Sequence, residues 1–266
     1  MKEQSIKNIK CVKRNKTAVR LNGDDRFDDY INANEIRGLN NEKHYIACQG
    51  PLPDTCQDFW EMIIQYHVSK IVMLTRTEEK NPHNPSQTLQ KCSRYFPRDK
   101  GDTLQYGKIT VQVLEVDTRA CADLEIRLIL VKDDQSEQRI HHYYFTGWPD
   151  FGVVDIRKLL ELLDKINNHG QKPMLKDRAS HTPIVVHCSA GVGRTGTYIA
   201  VDMLTQLINQ AGDKLPNMEL DVMGIVSKLR EDRVKMVQTK VCFIYLKSEW
   251  FFSMEVFLLI NRINIC

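Results

Sequence analysis

The stretch Pro183–Tyr198, PIVVHCSAGVGRTGTY, restricts the possible folds more than any other part of the chain. Ile184, Val185 and Val186 form a short apolar run with the length of a buried strand. His187 and Cys188 end it, and the small or turn-permitting residues Ser189, Ala190, Gly191, Val192 and Gly193 lead to Arg194. An apolar helical pattern begins after Gly196. A strand, loop and helix in that order set the loop's backbone N–H groups in a ring at the positive end of the helix. An anion with several oxygens fits there, and phosphate is the obvious candidate. The loop lacks the Gly-Lys-Ser/Thr ending of a nucleotide-phosphate loop and holds a cysteine and an arginine instead.

The rest of the chain is compatible with one large domain. At 266 residues and 42% hydrophobic content it can bury a sizeable core, and no Gly/Ser/Pro-rich linker divides residues 1–266. A net charge of +3 is too nearly balanced to call for nucleic acid, so no specific nucleic-acid partner is expected. The eight cysteines, at 11, 48, 56, 92, 121, 188, 242 and 266, show neither CxxC pairs nor zinc-ligand spacing. With no apolar signal core in MKEQSIKNIK, they point to a reducing, cytoplasmic compartment and to no metal site. The apolar stretch Trp250–Ile260 is too short to span a bilayer and reads as a last core helix, with a membrane-surface or partner-binding patch as the other reading.

Periodicity outlines the elements. Residues 31–34 read as a strand and turn, 44–49 as a strand, and Thr55 as the cap of a helix with Phe59, Trp60, Ile63 and Ile64 on its apolar face. Residues 70–75 form a continuous apolar strand, and 81–90 a long polar loop with two prolines. Three strand signals between Tyr106 and Phe145 predict an antiparallel meander. Asp155 caps a helix with Leu159, Leu160, Leu162, Leu163 and Ile166 inside that ends at Gly170. The helix after the cysteine loop closes near Gly212, and two more follow, around 220–230 and from Val241. The expected class is α/β (α+β), a highly twisted mixed β-sheet flanked by helices.

In such a loop the N–H groups, the helix N-terminus and Arg194 all favour ionisation of the Cys188 thiol. The thiolate can attack phosphorus and divide one difficult displacement into two steps. Arg194 presents a planar fork able to take two phosphate oxygens and to hold the equatorial charge of the transition state. Thr195 can donate its hydroxyl proton to the departing sulphur. His187 reads as a residue that orients the loop and tunes the thiolate, not as an acid or base.

The segment HCSAGVGRTG, residues 187–196, resembles the signature loop of the cysteine-based protein tyrosine phosphatases at each defining position. Six further blocks match in the same order: DYINAN (29–34), YIACQGP (45–51), DFW (58–60), KCSRYFP (91–97), WPDFGV (148–153) and MVQT (236–239). The resemblance covers about residue 16 to about residue 250. It implies a metal-free, cofactor-free phosphatase fold acting on phosphotyrosine-containing proteins.

It also implies residue roles. Read alone, Trp148-Pro149-Asp150 is only a turn; placed before the cysteine loop, it implies that Asp150 rides a closing loop and protonates the departing phenolic oxygen. Phe151 would line the wall against the substrate ring. Gln238 would position the hydrolytic water. Glu79, with Glu78 as a neighbouring competitor, would hold Arg194, and Arg230 and Arg233 would support the phosphate loop from behind. Lys91 would approach the Asp150 loop.

The sequence departs from the family pattern in places. Asn8 and Lys10 stand where a substrate-recognising tyrosine and an acid are expected, Cys242 where a second glutamine is usual, and Val154 where a proline often ends the Asp150 loop. The first change bears on substrate depth, the second on excluding other acceptors from the intermediate, the third on loop closure. The compact domain and altered recognition segment are similar to phosphatases carried by viruses of insect parasitoids. Two other functions stay open beside phosphotyrosine hydrolysis. One is a weakly active phosphoprotein-binding or trapping module, and the other a phosphatase for phospholipid, RNA 5′-phosphate or phosphoserine.

Overall fold

The structure, a computed structural model, describes residues 17–22, 29–39, 44–81, 84–149, 152–168, 182–211, 220–240, 242 and 246. Its centre is β11 (Ile184–His187), which pairs in parallel with β3 (His44–Cys48) on one side and β4 (Lys70–Met73) on the other. All four β11 residues are buried, since a central parallel strand is covered on both faces and so reads as a continuous apolar run. Ile184 and Val186 face one core and Val185 the other.

Outward from β3, antiparallel pairing adds β2 (Tyr30–Arg37) and then β1 (Ala18–Arg20). Outward from β4 comes β10 (Glu137–Phe145) in parallel, then the antiparallel strands β9 (Leu124–Lys132), β8 (Ile109–Cys121) and β7 (Thr103–Tyr106). The result is a nine-stranded mixed sheet. Helix α1 (Cys56–Gln65) packs Phe59, Trp60 and Ile63 into the core on one face. Helices α2 (Ile156–Asn168), α3 (Gly193–Ala211) and α4 (Val222–Asp232) cover the other. This is the expected α/β class, with the meander running from β7 to β10.

Three local expectations need correction. Residues 81–90 are not a loop: β5 (Glu78–Asn81) and β6 (Asn84–Gln90) form a separate antiparallel ribbon. The ribbon is held by backbone pairing and an Asn81–Gln87 side-chain bond, with little apolar face, so hydrophobic periodicity could not reveal it. Thr55 does not cap α1 with its side chain; the hydroxyl accepts the Leu52 N–H at 2.9 Å and closes the 3-10 turn Pro53–Thr55. The strand predicted at 31–34 runs on to Arg37, paired with β3 along its second half. Asp155 does cap as expected, accepting the Arg157 N–H at 2.8 Å. The helix ends at Gly170 and Gly212, most of the helix expected from Val241, the stretch 250–260, and Asn8 and Lys10 all lie outside the described residues.

β3, β4, β10 and β11 run parallel to one another, so their carboxyl ends open at one edge of the sheet. Gln49–Gly50, Leu74–Glu79, Gly147–Pro149 and Cys188–Gly193 therefore converge there, the place where open α/β sheets bind ligands.

Candidate active site

The loop from Cys188 to Gly193 is shaped by what holds its carbonyls. His187 Nδ1 contacts the Cys188 oxygen at 3.1 Å, and Gly50 N–H donates to the Ser189 oxygen at 2.9 Å. Arg233 donates to the Ala190 and Gly191 oxygens at 3.2 and 2.8 Å. Val192 accepts from the N–H groups of Gly196 and Val237 at 3.0 and 3.1 Å, and Gly193 accepts the Thr197 hydroxyl proton at 3.0 Å. Each carbonyl from 188 to 193 is thus turned towards a group of the surrounding protein. In a planar trans peptide the following N–H points the opposite way, so the amides of residues 189–194 converge on the enclosed side. That is an oxyanion cradle assembled from backbone alone.

Close approach explains the glycines. Gly191 has φ +70°, and a Cβ there would lie 2.0 Å from the Cys48 oxygen. A Cβ on Gly196 would lie 2.5 Å from the Val237 nitrogen, so α3 meets the Gln238 turn only through glycine.

Cys188 lies at the base of the cradle, 5% exposed, and Thr195 Oγ1 donates to its sulphur across 3.3 Å. Arg194 is fixed by Glu79 through a paired fork, Nη1 to Oε1 at 2.7 Å and Nη2 to Oε2 at 2.9 Å. Nη1 also donates to the Leu74 carbonyl at 3.1 Å. The Glu79 side chain is 7% exposed while Glu78 is exposed and makes no such contact, which separates the two competing neighbours.

Arg233 is 2% exposed and reaches the loop as expected; beyond the two carbonyls it donates to Asn34 Oδ1 and Asn32 Oδ1 at 2.8 and 3.0 Å. Arg230 differs from the expectation. Its bonds go to the Met236 and Val237 carbonyls at 2.9 and 3.1 Å, so it braces the turn that carries Gln238 instead of the loop itself. Val237 has φ +54°, a strained value for a β-branched residue, and Arg230 and Val192 hold it there. Gln238 comes next and lies over Gly193, whose added Cβ would be 3.6 Å from its Oε1.

Asp150 and Phe151 lie outside the described residues, but their flanks are anchored. Trp148 is 3% exposed, and its indole N–H donates to the Gly152 carbonyl at 3.3 Å. Val154 is buried in the same core, so the position where a proline often stands is filled by apolar packing. A cleft of about 750 Å³, lined by Arg76, Glu79, Lys80, Trp148 and Pro149, separates this segment from the β5–β6 ribbon. Lys91 follows β6 and is anchored by its N–H to the Thr77 carbonyl. Cys242 is buried, and its sulphur accepts the Thr239 hydroxyl proton at 3.1 Å.

His187 is fully buried, and burial pushes its ring down to about 4, leaving it neutral at ordinary pH. Its Nε2 lies 2.7 Å from the Tyr95 hydroxyl. Sequence reasoning gave Tyr95, Asn32, Asn34, Gly50 and Thr197 no role, although four of them belong to matched blocks. One signal was available: Asn32 and Asn34 alternate on one face of a buried strand, where polar side chains need partners.

No group of His, Cys, Asp and Glu among the described residues could hold a metal ion, and no helix among them is long and apolar enough to cross a membrane. The chain is 40% identical over 225 residues to mouse receptor-type tyrosine-protein phosphatase eta, covering 83% of this chain and 16% of that protein. It is 38% identical over 214 residues to human tyrosine-protein phosphatase non-receptor type 7, covering 79% of this chain and 52% of that one. It is also 38% identical over 218 residues to the human non-receptor type 5 protein, at 81% and 34%. The chain therefore spans about half or less of the length of these curated relatives. The protein-tyrosine phosphatase family profile matches residues 2–248, nearly the whole sequence, and the chain belongs to that family.

Proposed function

We propose that the chain is a protein-tyrosine phosphatase that hydrolyses phosphotyrosine in proteins through a cysteinyl-phosphate on Cys188. The observation that carries this reading is the Cys188–Arg194 cradle: carbonyls outward, amides inward, a thiol at the base and a braced guanidinium beside it. In the first step Cys188 Sγ bonds to phosphorus as the phosphorus–oxygen bond to the tyrosine ring breaks, and Asp150 gives its proton to the departing oxygen. Arg194 and the loop amides hold the charge on the equatorial oxygens. In the second step water, positioned by Gln238, attacks phosphorus and passes a proton to Asp150. The phosphorus–sulphur bond breaks, the Thr195 hydroxyl stabilises the leaving thiolate, and inorganic phosphate departs. Neither step draws on a metal or cofactor.

Residues 1–266 are read as one catalytic domain, which the nine-stranded sheet, drawing its strands from between residues 18 and 187, supports. The cysteines among the described residues are free, Cys48 and Cys92 included, which supports a cytoplasmic placement. The viral origin that the altered recognition segment suggests would make host signalling phosphoproteins the targets.

Purified protein is given an aryl phosphate, then phosphotyrosine peptides beside phosphoserine peptides, phosphoinositide and 5′-phosphorylated RNA. The reading predicts fastest phosphate release from phosphotyrosine, abolished by Cys188→Ser and slowed by Asp150→Ala. Faster release from another substrate overturns the substrate assignment. Tight capture of phosphopeptide without release favours the trapping module.

A further inference from the structure

Behind the nucleophile runs a line of buried polar groups to which the two chemical steps assign no task. His142 on β10, Tyr95 after β6 and His187 at the end of β11 are all fully buried. His142 Nε2 lies 2.9 Å from the Tyr95 hydroxyl, the same hydroxyl lies 2.7 Å from His187 Nε2, and His187 Nδ1 lies 3.1 Å from the Cys188 carbonyl oxygen.

The donor at each link follows by elimination. A carbonyl oxygen only accepts, so His187 must carry its proton on Nδ1. Burial keeps that ring neutral, so its Nε2 is bare and accepts the Tyr95 proton. Burial also drives the Tyr95 hydroxyl well above its ordinary range, so it keeps that one proton to give. The Tyr95 oxygen can then only accept from His142, which must carry its proton on Nε2. His142 Nδ1 is left as a bare lone pair, and it has no hydrogen-bond partner among the described residues. Arg127 is the register partner of His142 on β9; its Nη1 also has no hydrogen-bond partner among the described residues, and its guanidinium lies over Phe96 and Tyr144. Burial, and after it the Arg127 charge, push the His142 ring well below its ordinary range, so it stays neutral and carries a single proton.

We propose that His142 is a positioning residue for the nucleophile: its Nε2 proton fixes a one-way hydrogen-bond line, through Tyr95 and His187, that holds the Cys188 carbonyl out of the phosphate cradle. The alternative direction shows why this matters. Were Tyr95 to donate to His142, His187 would carry its proton on Nε2 and turn a bare Nδ1 against the Cys188 oxygen. Two lone pairs at that distance repel, and the peptide between Cys188 and Ser189 would lose the bond that sends the Ser189 amide inward.

The proposal rests on Cys188 as the nucleophile, and two measurements keep the claims separable. The first needs no turnover: ¹⁵N-detected imidazole spectra of the wild-type protein at neutral pH. They are expected to show the proton of His187 on Nδ1 and that of His142 on Nε2; either proton on the other nitrogen overturns the line. The second compares His142→Leu, which removes the donor, with His142→Gln, whose amide N–H can donate to Tyr95. With an aryl phosphate, His142→Leu is expected to lose roughly tenfold in kcat with KM within about twofold, and His142→Gln to restore kcat to within about twofold. Wild-type kcat in folded His142→Leu, or equal loss in both variants, overturns the role. Wild-type protein inert towards aryl phosphate would refute the phosphatase reading instead, and the spectra would still judge the line.

Discussion

Replacing Glu79 with glutamine tests whether Arg194 works as a pre-set fork. The pair is close to nine-tenths covered, with side-chain exposures of 11% and 7%, so water cannot substitute for a lost oxygen. Glu79→Gln preserves volume and one acceptor, but it turns an NH2 group towards a guanidinium nitrogen that needs an acceptor. The loss is about one charge-assisted hydrogen bond, roughly 1.5–3 kcal/mol. If the transition state feels all of it, kcat falls roughly 10- to 150-fold. Thr75, which donates to Glu79 Oε1 at 3.2 Å, limits rearrangement of the new side chain. Steady-state hydrolysis of an aryl phosphate measures the effect, and the adjacent, exposed Glu78→Gln serves as the control with a change below about twofold. An equal or larger loss in Glu78→Gln would refute the brace.

Three further outcomes follow from the same geometry. Gly191→Ala places a methyl 2.0 Å from the Cys48 oxygen at a left-handed backbone position, so the loop must shift and kcat/KM should fall by about 100-fold or more, read with the same aryl phosphate. Arg233→Met leaves the Ala190, Gly191, Asn32 and Asn34 oxygens without their donor, and urea unfolding should show a loss of about 3 kcal/mol or more. The His187 ring titrates near 6.5 when unfolded and at about 4 when folded. Between those values the unfolded chain binds more protons, so the contribution of this ring to stability is complete above pH 6.5 and declines by up to about 3 kcal/mol as pH falls to 4. Urea midpoints at pH 7 and 4.5 should show the decline. His187→Gln should flatten it in part, because burial pushes His142 in the same direction.

The chemistry was more legible in the sequence than the architecture that supports it. Cys188, Arg194 and Thr195 occupy one continuous loop, so spacing alone brings them together. Glu79 could be named only together with Glu78, because choosing between them depends on which carboxylate turns inward beneath Arg194. Arg230 and Arg233 are close in sequence but leave α4 in different directions, one to the Gln238 turn and one to the loop, a distinction no spacing carries. The β5–β6 ribbon was missed because its residues are polar on both faces, and Tyr95 because its work is done by one hydroxyl inside an aromatic cluster. Asn32 and Asn34 read as strand residues, and only burial beside Arg233 shows why they are polar.

The central claim is that phosphate passes through Cys188. Rapid quenching of the protein mixed with a phosphotyrosine peptide, followed by mass spectrometry of the digest, measures this directly. A phosphoryl adduct on the Cys188 peptide is expected, more abundant in Gln238→Ala, where the water lacks its guide, and missing in Cys188→Ser, which should release no phosphate. Phosphate release by Cys188→Ser at the wild-type rate, or wild-type turnover with no adduct at any quench time, would contradict the account.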